Sequence, residues 1–254
     1  MAVFRRIVAV GCLAGLLTGL LITAVHVLWV VPLIVEAERY ESRAANVVAP
    51  HSHSHSGAAP QSAAHAHEAT NSPEASPLIR TLWTSVANVL LGIGGGLLFA
   101  AVFAMRDHPA TWRTGLLWGG GAYIALTLAP ALGLPPELPG MAAADIADRQ
   151  TWWLFTVIST AAALLVAANT RSLALRLTAF AMLAMPHLVG APHPASPEAL
   201  APQDLQDQFV VAALASSALY WLVLGLLTAH LARRFRLQRA PLGVAGEADA
   251  APCA

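Results

Sequence analysis

Five long runs of uncharged, mostly apolar residues dominate the pattern of hydrophobic and polar positions. They cover residues 7–35, 81–105, 114–136, 151–170 and 209–232. A helix needs about 20 residues to cross roughly 30 Å of hydrocarbon, so each run is long enough, or nearly so, to span a bilayer. The first run greatly exceeds the apolar core of a signal peptide, roughly 7–15 residues, and we expect it to remain as a membrane helix.

A shorter apolar stretch, 177–189, follows Arg176 and contains Pro186 and His187. It is compatible with a re-entrant segment, or with a sixth span over 172–190 whose arginine extends to the interface. Arginines distinguish the two because they concentrate on the cytoplasmic side of membrane proteins. Six spans place ten arginines inside and four outside, whereas five spans give six and eight. The pattern therefore favours six spans with both termini cytoplasmic.

The predicted architecture is an all-α, polytopic membrane helical bundle of six spans, or five if residues 172–190 are re-entrant. The first transmembrane helix covers residues 1–35, and a disordered, histidine-rich periplasmic loop covers 36–80. The rest of the bundle lies within 81–236, and a disordered cytoplasmic tail follows at 237–254. The later spans are expected at about 81–105, 114–134, 151–170, 172–190 and 209–232.

Small residues recur every four positions inside three of these spans. They are Gly11, Gly15 and Gly19, then Gly92, Gly96 and Ala100, then Gly115 and Gly119. Such spacing places small residues on one helix face and lets two backbones approach closely. We interpret these positions as packing faces, not as sites of chemistry.

The composition supports a membrane protein, because 57% of the residues are hydrophobic and 11% are charged, against about 45–50% and 25% in globular chains. All 14 basic residues are arginine. Without lysine the chain cannot form a nucleotide-binding P-loop or the Schiff base of pyridoxal enzymes. Cys12 and Cys253 lie at opposite ends of the chain, which argues against a disulfide framework or a cysteine metal site.

In the six-span topology, eleven carboxylates and seven of the ten histidines face outward with only four arginines. This negative surface would concentrate divalent cations. The outer loop places histidines at every second residue, namely His51, His53, His55, His65 and His67. Histidine-rich tracts are typical of metal binding, so we expect this loop to capture metal ions weakly and unselectively. A solvated linker is the alternative.

Within residues 130–153, Pro135, Pro136 and Pro139 forbid a continuous helix. Irregular backbone at membrane depth lines cavities, and broken helices in transporters often form the substrate site. Glu137 lies in this break and is a candidate metal ligand, whereas Asp145 is equally well explained as the cap of the following helix. Trp152 and Trp153 are expected in an interfacial aromatic belt.

A second proline-rich segment, PHLVGAPHP at 186–194, carries His187 and His193 six residues apart. Prolines restrict the backbone and lower the entropy lost when ligands converge on a metal. Both histidines are therefore candidate ligands. The alternative is a structural turn whose histidines form hydrogen bonds with backbone carbonyls.

Two further polar residues within the predicted spans, His26 and Asn88, are candidates for a role. His26 shares a helical face with Gly15 and Gly19, so it should face the packed interior, where an ionisable group indicates a functional site. Asn88 is better explained as a hydrogen bond between helices. Glu36 lies at the outer mouth, so a metal ion passing inward would meet Glu36 and then His26.

Several of these motifs together resemble the CbtA family of bacterial cobalt transporter subunits, over nearly the whole chain. They include WVVPLIVEAERYE at 29–41, and the most specific are PPELPGM at 135–141 and PHLVGAPHP at 186–194. The resemblance implies cobalt uptake that serves cobalamin synthesis. It also implies a small, one-span, histidine-bearing partner called CbtB. The family is usually described with five spans, whereas the arginine distribution here favours six.

The sequence therefore predicts an inner-membrane transporter subunit for divalent transition-metal ions, not an enzyme. Co²⁺ is the expected cargo, with no tightly bound cofactor and no nucleic-acid partner. We expect Glu36, Glu137, His187 and His193 to converge on the ion, with His26 further along its path. Nitrogen and oxygen ligands suit Ni²⁺ and Zn²⁺ equally well, so only the resemblance points to cobalt.

Three alternatives stay open. The first is a metal exporter, and the second a metal-sensing or metal-buffering membrane protein. A membrane metalloenzyme that uses His187 and His193 is less favoured, because no HExxH or other hydrolase motif is present.

Overall fold

The computed structural model describes residues 2–48, 77–106, 110–194 and 199–237, and these residues form helices without strands. The α-helices are α1 (Ala2–Val25), α2 (Val31–Val48), α3 (Pro77–Met105), α4 (Trp112–Tyr123), α5 (Ala129–Ala131), α6 (Ile146–Asn169), α7 (Leu173–Val189) and α8 (Gln203–Arg234). Two π-helical turns, His26–Val30 and Ile124–Leu128, join α1 to α2 and α4 to α5. The predicted all-helical architecture is confirmed for this part of the chain.

Within the residues that the structure describes, four helical runs are long and apolar enough to cross a membrane. They are Val3–Ala44, Leu78–Met105, Ile146–Asn169 and Gln203–Arg234. Leu173–Val189 is a shorter apolar helix, and α4, its π turn and α5 together form one further apolar run between Trp112 and Ala131. Each of these runs overlaps a span expected from the uncharged runs.

Helices α1 and α3 pack antiparallel through their glycines. Gly15 lies against Gly92, Gly11 against Leu97, and Gly19 against Val89. A Cβ added at Gly11 would come within 2.7 Å of the Leu97 Cα, a distance at which one backbone has to move. The predicted packing faces of these two helices are confirmed.

Helix α8 lies at the centre of the bundle and contacts α1, α3 and α4. The Tyr220 hydroxyl donates to the Leu91 carbonyl of α3 at 3.1 Å. The predicted face of α4 is confirmed too, because Gly115 packs against the Gly225 carbonyl and Gly119 lies against Trp221. Helix α7 packs on α6, which packs on the π turn after α4 and on α5.

Each π turn precedes a proline at the same distance. Pro32 follows the turn that ends at Val30, and Pro130 follows the turn that ends at Leu128. A proline within a helix has no N–H to donate, and its ring crowds the carbonyl four residues earlier. A π turn adds one residue to the hydrogen-bonding ladder and lets the helix continue past this defect.

Helix α2 continues to Val48, well into the segment 36–80 that we predicted to be disordered, so that prediction is wrong for residues 36–48. Glutamate, alanine and arginine in this part favour a helix. Ala37, which is 1% exposed, packs with Leu205 and Phe209 of α8. Tertiary contacts thus extend the first helix beyond its apolar run.

The first and last described helices meet at one end of the bundle. The Arg6 guanidinium donates to the carbonyl of Arg236 at 3.2 Å. We call this the arginine end, and we call the opposite end, where Glu36, Glu38 and Glu137 lie, the carboxylate end.

Candidate metal-binding site

Two irregular segments lie side by side at the carboxylate end. One links α5 to α6 (residues 132–145), and the other follows α7 (residues 190–194 and 199–202). Met141 and Ala199 form an isolated antiparallel bridge between them. Gly140 and Gly190 have φ of +79° and +87°, a backbone conformation that favours glycine. The broken backbone predicted within residues 130–153 is confirmed between α5 and α6.

Glu137 is held by an ion pair. Its Oε2 lies 2.9 Å from the Nη2 of Arg149, and both side chains are partly exposed. The pair lines a pocket of about 470 Å³ whose walls also include Thr127, Gln150 and Trp153. An incoming cation would therefore compete with Arg149 for this carboxylate. No sequence pattern indicates this pairing, because an irregular segment separates the two residues.

Glu36 and Glu38 differ in their surroundings. Glu36 is exposed, whereas both carboxylate oxygens of Glu38 accept hydrogen bonds from Arg80, at 2.8 and 3.0 Å. Ala37 between them is buried in the same cluster as Leu138, the neighbour of Glu137. Glu36 and Glu137 thus belong to segments that pack together at the carboxylate end.

His187 is partly buried beside Trp152. The two rings meet edge to face with centroids 5.9 Å apart, and the Trp152 indole N–H donates to the Pro186 carbonyl at 3.2 Å. The place of Trp152 and Trp153 in an interfacial belt stays a prediction, but the Trp152 side chain itself is only 6% exposed. Burial of its N–H is possible because the Pro186 carbonyl accepts it.

Asp145 and His193 also lie in the two irregular segments at the carboxylate end. Asp145 caps α6, accepting a hydrogen bond from the Ala147 N–H at 2.8 Å, as predicted. His193 is exposed. The pattern P-x-L-x-x-x-P occurs at residues 130–136 and again at residues 186–192. Glu137 directly follows the first copy and His193 directly follows the second, so the two residues occupy equivalent positions.

His26 lies deeper in the bundle, at the first residue of a π turn. Its Nδ1 is 3.3 Å from Asn88 Nδ2 of α3, and the same Asn88 nitrogen donates to Thr23 Oγ1 at 3.1 Å. The prediction that His26 faces the packed interior, and that Asn88 links two helices, is confirmed. Thr23 was missed, although it lies one turn before His26 on the same helix.

Among the described residues, no three His, Cys, Asp or Glu side chains lie close enough together to hold one metal ion. The convergence of Glu36, Glu137, His187 and His193 therefore stays a prediction. The histidines of the capture loop, His51, His53, His55, His65 and His67, lie outside the described residues.

Comparison with known proteins identifies the family. No curated protein and no solved structure matches the chain. A family model described as "Probable cobalt transporter subunit (CbtA)" matches residues 4–233, which include every helix from α1 to α7 and nearly all of α8. The chain therefore belongs to the CbtA family of probable cobalt transporter subunits.

Proposed function

We propose that this chain is the membrane subunit that takes up Co²⁺ across a bacterial inner membrane and thereby serves cobalamin synthesis. The family match over residues 4–233 is the observation that carries the proposal. Apolar helices of membrane length and the family's role as a transporter subunit, not an enzyme, agree with it. The word subunit implies a partner, for which we propose a small one-span protein of the CbtB type.

Six crossings with both termini in the cytoplasm form part of the proposal. The hydrogen bond between Arg6 and Arg236 supports an even number of crossings, because it joins the first and last described helices at one end. That end also carries the arginines that follow α3 and end α8. Arginines concentrate on the cytoplasmic side of membrane proteins, so the carboxylate end would face the periplasm.

The proposed path begins at the carboxylate end. Glu36 and Glu137 would receive the ion there, helped by His187 and His193, after the histidine-rich loop has raised its local concentration. His26 lies ten residues from Glu36 along the same helical run, which corresponds to roughly 15 Å at 1.5 Å per residue. Ligands spaced in this way favour stepwise passage of an ion over tight storage.

Accumulation of ⁵⁷Co²⁺ in cells tests the direction and the cargo. The gene would be expressed with its presumed small partner and compared with an empty vector, with excess Ni²⁺ or Zn²⁺ as competitor. Higher accumulation that survives excess Ni²⁺ is the expected result. Lower accumulation would indicate an exporter, and unchanged accumulation a buffering or sensing protein, so either result would overturn the proposal.

A further inference from the structure

A short chain of polar groups crosses the interface between α1 and α3. It consists of the Gly19 carbonyl, Thr23, Asn88 and His26, and we call it the α1–α3 polar network. It lies where Gly19 packs against the backbone of Asn88 and Val89, and it ends at the residue that begins the π turn.

The direction of each hydrogen bond follows from the number of hydrogens available. The Thr23 hydroxyl has one hydrogen and donates it to the Gly19 carbonyl at 2.8 Å. It can therefore only accept from Asn88, so the Asn88 group beside it is the NH₂, at 3.1 Å. The second hydrogen of this NH₂ faces His26 Nδ1 at 3.3 Å. Nδ1 then acts as an acceptor, and the proton of the neutral ring lies on Nε2.

This tautomer has no free lone pair on either ring nitrogen. Nδ1 uses its lone pair for Asn88, and Nε2 carries a hydrogen. A metal-bound histidine normally donates the N–H of its other nitrogen to a carbonyl or carboxylate oxygen. In the α1–α3 polar network the direction is the opposite, because His26 Nδ1 accepts a hydrogen bond from the Asn88 amide.

We propose that Asn88 is a positioning residue that sets the tautomer of His26 and so controls whether His26 can bind the metal ion. Binding at Nε2 requires the Asn88 amide to rotate, so that its Oδ1 accepts from His26 Nδ1–H and from the Thr23 hydroxyl. The ring loses a proton from Nε2 and gains one at Nδ1, and no net proton is released. The inference rests on the proposed function only in placing His26 on the metal's path.

The tautomer can be measured by ¹⁵N NMR of the imidazole nitrogens in the purified full chain, in lipid nanodiscs, with His26→Gln identifying the resonance. Without metal, we expect a protonated Nε2 and an unprotonated Nδ1. Diamagnetic Zn²⁺, used as the probe, should move the proton to Nδ1. A wild-type ring protonated on Nδ1 before metal is added would overturn the inference.

Two variants separate positioning from folding. Asn88→Asp provides only acceptors, so the proton should lie on Nδ1 without metal. Thr23→Val removes the group that orients the amide, and a mixture of tautomers is expected. Thr84→Val is the matched control, because the Thr84 hydroxyl bonds only the Arg80 carbonyl of its own helix among the bonds described. Its spectrum should equal that of the wild type.

Measurements of ⁵⁷Co²⁺ uptake, made beside the NMR measurement, distinguish a failure of this inference from a failure of the proposed function. Absence of ⁵⁷Co²⁺ uptake by the wild type would count against the function alone, whatever the tautomer. An unchanged tautomer in both Asn88→Asp and Thr23→Val would count against the inference alone. If both ideas hold, Asn88→Asp should bind Zn²⁺ about tenfold more tightly, within the range that partners of metal-binding histidines contribute.

Discussion

The backbone carbonyl of Gly15 in α1 lies directly against Gly92 in α3, and neither position has room for a side chain. The contact recurs one turn away, where the carbonyl of Gly11 lies against Gly96. Lipid tails are as apolar as the helices, so close backbone packing of this kind is what holds membrane helices together. The α1–α3 pair therefore depends on its glycines more than on its larger side chains.

Gly15→Ala should lower the free energy of unfolding, because the added methyl group would push α1 and α3 apart. We expect a loss of about 1–3 kcal/mol, as for overpacking in other cores. Gly94→Ala is the control on α3, since nothing lies within 4 Å of its new methyl group. Thermal unfolding of the two variants in detergent would measure the difference, and equal midpoints would contradict the packing argument.

The spans were predictable because bilayer thickness fixes the length of an uncharged run. The prediction for α6 began at residue 151, whereas the helix begins at Ile146. The difference arises because a helix cap and its first turn tolerate charges that a membrane run does not. The π turns were not predicted, although Pro32 and Pro130 within apolar runs were the available indication.

The topology can be tested at two positions, one between α7 and α8 and one after α8. Green fluorescent protein fused after Leu237 should fluoresce, because it folds in the cytoplasm when the number of crossings is even. Alkaline phosphatase fused after Ala191 should be active, because α7 would deliver it to the periplasm. An inactive phosphatase with no fluorescence would instead indicate five crossings and a re-entrant α7.

The candidate site was less predictable than the fold. Sequence spacing identified Glu137 as a polar residue in a broken helix, but not its ion pair with Arg149. The pair depends on how residues 132–145 fold back over the bundle, which no local pattern records. His26 was more predictable, because helical periodicity alone places it on the glycine face of α1.

Arg149→Gln should release Glu137 and strengthen its attraction for Co²⁺. Since such a partly exposed pair is worth on the order of 1 kcal/mol, the half-saturating cobalt concentration should fall by about fivefold. Stability should change little. Arg80→Gln is the matched control, because it frees Glu38, which is not among the proposed ligands. The half-saturating concentration would be obtained from uptake measured over a range of cobalt concentrations. An unchanged or higher half-saturating concentration for Arg149→Gln would show that Glu137 is not on the ion's path.

Variants of the histidine-rich loop and of His187, in the last turn of α7, should respond differently to cobalt concentration. A collector raises the local concentration of ions without taking part in their passage. Replacing His51, His53, His55, His65 and His67 with alanine should therefore weaken uptake mainly at low cobalt. His187→Ala should lower uptake at every concentration, by about tenfold if the residue contacts the ion.

His230→Ala is the control for the His187 variant, since His230 is also a histidine but lies near the end of α8, away from the carboxylate end. Its uptake should match that of the wild type. Initial rates of ⁵⁷Co²⁺ uptake over a range of concentrations would distinguish the three variants. Equal and small effects of the loop and His187 variants would contradict the assignment, because neither collection nor passage would then depend on these histidines.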